Sequence, residues 1–185
     1  MKKEIKTVPA LFPMPVILIA TYNEDGSVDV MNAAWGCAYD MKQLYLCISA
    51  YHKTFKNIQR NKAFTVTVAD ERHIAESDYV GIESANEVKN KFEKSGLHAH
   101  KSDKINAPIL DDFPICMECT PASINEDDGV IADIVRLSVD EEYLDENGRV
   151  NVPKLGVIAY DPFGHGYYVI KEKVGQAFHD GLKLK

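Results

Sequence analysis

The sequence predicts a mainly β protein, an antiparallel barrel with accessory helices, and three observations carry that prediction. Short apolar runs recur along the chain between turn residues such as Asp25-Gly26, Asn125 to Gly129 and Leu144 to Gly148. Several of these runs alternate apolar with polar residues, the mark of strands with one buried face. Helical stretches interrupt them without the regular strand-helix-strand alternation of a parallel sheet, so a Rossmann arrangement is disfavoured.

The amino-terminal apolar run from Val8 to Ala20 is broken as a helix by Pro9, Pro13 and Pro15 and reads as an extended approach to the first strand. Residues Pro15 to Tyr22 form that strand, Asp25-Gly26 supplies a hairpin turn, and Ser27 to Ala33 return as a half-buried strand ended by Trp35-Gly36. Leu44 to Ala50 is a third strand. Thr54 reads as the N-cap of a helix running to about Asn61, followed by the alternating strand Ala63 to Ala69. Two helical segments, His73 to Ile82 and Glu87 to Lys94, end at Gly96, whose lack of a Cβ suits a helix stop. Sheet resumes at Phe113 to Ala122 and Val130 to Val139, then at Leu155 to Tyr160 and Gly166 to Ile170.

A chain of 185 residues that is 45% apolar and 26% charged has the composition of one ordinary globular domain, spanning 1–185. Twenty-one Lys and Arg against 28 Asp and Glu leave a net charge of -7, which speaks against a broad nucleic-acid footprint. Any anionic ligand must be held locally. No run approaches the roughly 20 apolar residues of a membrane span. Cys37, Cys47, Cys116 and Cys119 are too scattered for a disulfide scaffold, which points to a reducing, cytoplasmic compartment.

Three segments carry candidate chemistry. Ser49-Ala50-Tyr51-His52-Lys53-Thr54 joins a strand to a helix start and gathers hydroxyl, imidazole and amine donors where a helix dipole favours an anion. It equally fits an ordinary helix cap with an exposed lysine. Met31-Asn32-Ala33-Ala34-Trp35-Gly36 places small residues before the one tryptophan, so a flat ring can approach the backbone there, although a core tryptophan at a tight turn is the commoner outcome. Cys116-Met117-Glu118-Cys119 has the spacing of a redox pair or half a zinc site, but residues three apart on a strand face opposite ways, no second C-x-x-C occurs, and His98 and His100, which could supply further ligands, lie beside basic, loop-like sequence. Rossmann, P-loop, nucleophile-elbow and zincin motifs do not occur in the sequence.

Taken in order, PMPV at Pro13 to Val16, MNAAWG at Met31 to Gly36, SAYHKTFKNI at Ser49 to Ile58, AFTVTVA at Ala63 to Ala69 and DYVGIESANEVKNKFEKSG at Asp78 to Gly96 form a pattern. Asn106-Ala107-Pro108, LDENG at Leu144 to Gly148 and GYYVIKEKVGQAFHDG at Gly166 to Gly181 continue it. The pattern resembles the flavin reductase-like family with the FMN-binding split barrel, which includes flavoredoxins and NAD(P)H:flavin oxidoreductases. No one segment is diagnostic; their order and spacing are.

That resemblance implies a split antiparallel β-barrel and a homodimer with FMN near the subunit interface. Asn32, Ala33, Ala34 and Trp35 would line the flavin ring, and Ser49, His52, Lys53 and Thr54 would hold its phosphate. Ser84 and Lys91 would approach from the helical insertion, and Tyr160 would contact the ring. The sequence departs from the family pattern at Ala85, where Gly is usual, at Asn90, where Asp is usual, and in lacking a His in the turn 126–129. The implied function is an FMN-binding oxidoreductase passing electrons from NAD(P)H through FMN to flavin or another small acceptor. The alternative is a flavoredoxin-like electron carrier with a protein redox partner. No protein nucleophile or acid-base pair is expected, because the flavin carries the redox chemistry.

Overall fold

The computed structural model describes residues Met1–Lys185. Gly26 takes φ +85° in the turn closed by Asn23 and Ser27, and the runs it joins pair as the sequence predicts. Strand β1 (Met14–Pro15) leads into β2 (Ile17–Tyr22), which pairs antiparallel with β3 (Val28–Ala33), Leu18 opposite Asn32. The chain continues through β4 (Gly36–Asp40), β5 (Gln43–Leu46), helix α1 (Lys53–Asn61) and β6 (Phe64–Val68). Helices α2 (Ile74–Ile82) and α3 (Lys91–Ser95) follow, then the small hairpin β7 (Ala99–Lys101) and β8 (Pro108–Leu110). The long pair β9 (Ile115–Asn125) and β10 (Gly129–Val139) precedes α4 (Val152–Leu155), β11 (Ile158–Tyr160) and β12 (Tyr167–Val169).

The main sheet has seven strands in the order β3-β2-β6-β9-β10-β5-β4, every neighbouring pair antiparallel, and it curls into a half-barrel. Curling brings the far edge back to the near one. At Gly36 on β4 an added Cβ would lie 2.8 Å from Ile17 Cδ1 on β2, so β4 comes into close contact with that side chain. Gly129, at φ +108°, similarly lets the start of β10 press on β5, where a Cβ would lie 2.2 Å from the Leu46 carbonyl oxygen. A second sheet, β1-β11-β12, stands beside the barrel.

Strand β2 is buried on both faces. Ile17 and Ile19 join Phe55, Ile58, Phe64, Val66 and Cys119 in the barrel core, whereas Leu18 and Ala20 join Val80, Leu97, Phe113 and Ile158 in an outer core beneath the helices. The period-two geometry of a strand divides its side chains between the two clusters. Each of the large aliphatic and Phe side chains buried this completely contributes about 1.5–3 kcal/mol. The outer layer is pinned at the start of α2 by buried Asp70, which accepts from Arg72 N at 2.9 Å and His73 N at 3.2 Å.

Several expectations need correction. β3 is not half-buried: Asp29 and Met31 are buried as well as Val30, because helix α1 covers the side expected to face water. β3 ends at Ala33 as expected, but after Ala34 and Trp35 a further strand, β4, opens at Gly36; it is mostly exposed and so lacks the apolar alternation of a buried strand. β5 stops at Leu46 and leaves 47–50 irregular. The run Leu155 to Tyr160 is the end of α4 and then β11, separated by Gly156 at φ +63°. Thr54 lies inside α1, and His52 occupies the cap position. Residues 171–185 are exposed throughout.

Candidate functional site

A cavity of about 390 Å³ opens where β3, the start of α1, the end of α2, the 83–85 loop, Lys91 and the second sheet meet. Its β3 wall is set by an anchored amide. Asn32 Nδ2 donates to the Ser77 carbonyl at 2.8 Å, and Gly81 of α2 lies so near that an added Cβ would sit 3.0 Å from Asn32 Cβ. Ala33 and Ala34 follow as small, part-buried lining, and Trp35 stands half-exposed at the mouth. Its ring centroid is 6.4 Å from that of Tyr160.

Tyr160 is held by the second sheet. Its hydroxyl shares a 2.5 Å hydrogen bond with His165 Nδ1, and its ring lies 6.3 Å from Tyr167. The Tyr167 hydroxyl donates to Asp78 Oδ1 at 2.7 Å. Burial, and then the Asp78 carboxylate that accepts this proton, push the Tyr167 phenol up to about 12.

At the other end stands the amino terminus of α1. His52 precedes the helix in an extended conformation and no side chain caps it, so the first-turn N–H groups lack intrahelical partners. His52 and Lys53 line the cavity there. Thr54 lines it too, but its hydroxyl donates to Asp29 Oδ2 at 2.6 Å and both side chains are buried. Lys91, only 4% exposed, sends Nζ to the Val80 carbonyl at 3.2 Å and stands 3.7 Å from Asp29 Oδ1. Burial lowers the Lys91 pKa, and the nearby Asp29 carboxylate opposes that fall.

The structure therefore gathers Asn32, Ala33, Ala34, Trp35, His52, Lys53, Thr54, Ser84, Lys91 and Tyr160 around one space. Ser84 stands exposed at its rim, accepting from Asn86 N at 3.3 Å, while Asn86 Nδ2 ties this loop to the Tyr51 carbonyl at 3.0 Å. Ser49 is not among the lining residues; it is exposed and accepts from Tyr51 N at 3.3 Å. Sequence reasoning missed Asp29, Cys47, Asp78 and Tyr167, all on the cavity wall. An acid between valines on a strand was the one available signal, at Asp29. Elsewhere, Cys119 packs in the barrel core, whereas Cys116 lies outside it near Arg136. His98 and His100 face Asp112 and Asp111.

The comparisons with known proteins agree with this architecture. A flavoredoxin of Desulfovibrio vulgaris superposes with a TM-score of 0.91 at 27% identity, over 98% of this chain and 100% of that one. A flavoredoxin from Methanosarcina acetivorans shares the fold, with a TM-score of 0.87 at 20% identity and full coverage of both chains. An uncharacterized protein of Aquifex aeolicus is 26% identical over 171 residues, 86% of this chain and 84% of its own length. Residues 10–155, which carry the half-barrel, the helical insertion and most of the cavity wall, match the flavin reductase like domain, and the chain belongs to that family.

Proposed function

We propose that the protein is an FMN-binding oxidoreductase that takes electrons from NAD(P)H and passes them to flavin or another small acceptor. The observation that carries this reading is one cavity with an anion-suited pole at His52, Lys53 and the α1 amino terminus, and an aromatic mouth at Trp35 and Tyr160. Its volume of about 390 Å³ falls in the range of small-molecule sites. The donor set suits FMN, because a phosphate wants cations and free N–H groups while a ring system wants small and aromatic walls.

When bound, FMN would supply the hydride and electron chemistry that no side chain here supplies. The chain's part is binding, orientation and electrostatics. His52, Lys53 and the first-turn amides of α1 would hold the phosphate. Asn32, kept in place by Ser77, would present a fixed polar edge beside the small surface of Ala33 and Ala34. Lys91 would set a buried positive charge against the ring, where each preorganised donor is worth about 2.7–4 kcal/mol to a developing anion. Ser84 would close the rim, and Tyr160 would narrow the mouth while leaving it open to a second planar ring.

The active form proposed is a homodimer in the cytoplasm. Support comes from the uncovered apolar side chains of the carboxy-terminal arm, Val174, Phe178 and Leu184, and from four cysteines that are all free. The test is anaerobic titration of the FMN-loaded protein with NADH and with NADPH. Loss of the flavin absorbance band with either supports the reading, and an unchanged band with both rejects it. A second reading, an FMN electron carrier reduced by a protein donor, is favoured by the near-complete superposition on a flavoredoxin. Bleaching by a reduced protein donor but by neither nicotinamide would select it.

A further inference from the structure

We propose, on the flavin reading above, that Asp29 is the positioning residue for Lys91, holding a charged ammonium rather than a neutral amine in the cavity wall. Asp29 is 1% exposed and Lys91 4%, so neither charge is stabilised by bulk water. The carboxylate is fixed on one side, where Oδ2 accepts from Thr54 at 2.6 Å. Its other oxygen, Oδ1, has no hydrogen-bond partner and faces Lys91 Nζ at 3.7 Å. Nζ itself donates to the Val80 carbonyl at 3.2 Å, which aims the side chain back from α3 toward the junction of α2 and β3. A buried carboxylate with one oxygen unbonded is unfavourable unless an opposite charge or a ligand donor completes it. Here the cation is close enough for attraction and too far for a tight bond, so Lys91 keeps N–H groups for the cavity.

The other groups around Lys91 do not replace Asp29. Glu83, at the end of α2, also favours the ammonium, more weakly than Asp29 does. Asp78 of α2 already accepts from Tyr167. From the α1 side, His52 and Lys53 line the same cavity and add positive charge or none. Tyr160 and Tyr167 bring phenols, and α3 itself adds Glu93 and Lys94.

Two titrations of the apoprotein by NMR test the pairing directly. In Asp29→Asn the Lys91 side-chain midpoint should fall by about one pH unit or more. In Asp29→Ser the Lys91 midpoint should fall by a similar amount, which keeps the test open if Asp29→Asn folds poorly. Either midpoint staying at its wild-type value overturns the proposal. The consequence for the ligand is read by FMN binding. The Asp29→Asn dissociation constant should begin to climb at a lower pH than that of the wild type, rising roughly ten-fold as Lys91 loses its proton, while Asp29→Asn with Lys91→Gln should show no such climb. The same climb in the double variant would overturn the proposal. If neither wild type nor variant binds FMN, the flavin reading fails while the two NMR midpoints still decide the pairing.

Discussion

The Thr54 hydroxyl donates to Asp29 Oδ2 across 2.6 Å inside the protein, so its one proton is committed to that carboxylate. Thr54 and Lys53, neighbours at the start of one helix, therefore have different work. Lys53→Ala should weaken FMN by about 1.5 kcal/mol, roughly ten-fold in Kd, at the low end for a charge-assisted bond because Lys53 is part-exposed. Riboflavin, which lacks the phosphate, should bind the variant and the wild type alike. Thr54→Val should instead cost about 1–3 kcal/mol of fold stability, by leaving a buried carboxylate oxygen without its donor. Fluorescence titration with both flavins and urea unfolding separate the two effects.

Trp35 is the one tryptophan of the chain and stands at the cavity mouth. Added FMN should quench its emission stoichiometrically and saturably. Emission unchanged at saturating flavin would move the ligand away from this wall.

The cysteines divide by environment. Burial, the larger cause, pushes the thiols of Cys116 and Cys119 up to about 12, so both stay protonated at pH 8, whereas Cys37 and Cys47 are exposed. Ellman's reagent at pH 8 should titrate Cys37 and Cys47 in the native protein and all four thiols after unfolding. Because Cys47 lines the cavity, FMN should slow its modification and leave that of Cys37 unchanged. Equal protection of both, or of neither, would contradict the proposed placement.

Tyr167 predicts a loss of stability in alkali. Its phenol ionises near 10 when unfolded and near 12 when folded, so in that window the unfolded chain has given up a proton that the native chain retains. Stability then falls as pH rises from 10 toward 12. Urea unfolding at the two ends of this window should show a smaller fall for Tyr167→Phe than for the wild type.

Most strands were legible because their signals are local. The Asp25-Gly26 turn, the alternation in Phe64 to Val68 and the stop at Gly96, which adopts φ +74°, each act within a few residues. Thr54 was misread because cap-like chemistry was outweighed by a partner on β3, 25 positions away. Asp29 was passed over for the same reason. On a strand an acid normally faces water, and the packing of α1 and α3, which bring Thr54 and Lys91 against it, turns this one inward. Strand β4 escaped notice because an exposed edge needs no apolar face. The clustering of ten foreseen residues around one cavity was legible through the order of segments and not through any single motif.

The seam between Gly81 and Asn32 bears on redesign of this chain. A Cβ at 81 would lie 3.0 Å from Asn32 Cβ, so a larger residue there would press directly on the side chain whose amide is anchored at Ser77, and enlarging the chamber from that direction would act on its framework. The largely exposed 83–90 stretch, fastened near its middle by Asn86 to Tyr51, is the more forgiving place to graft new acceptor preferences.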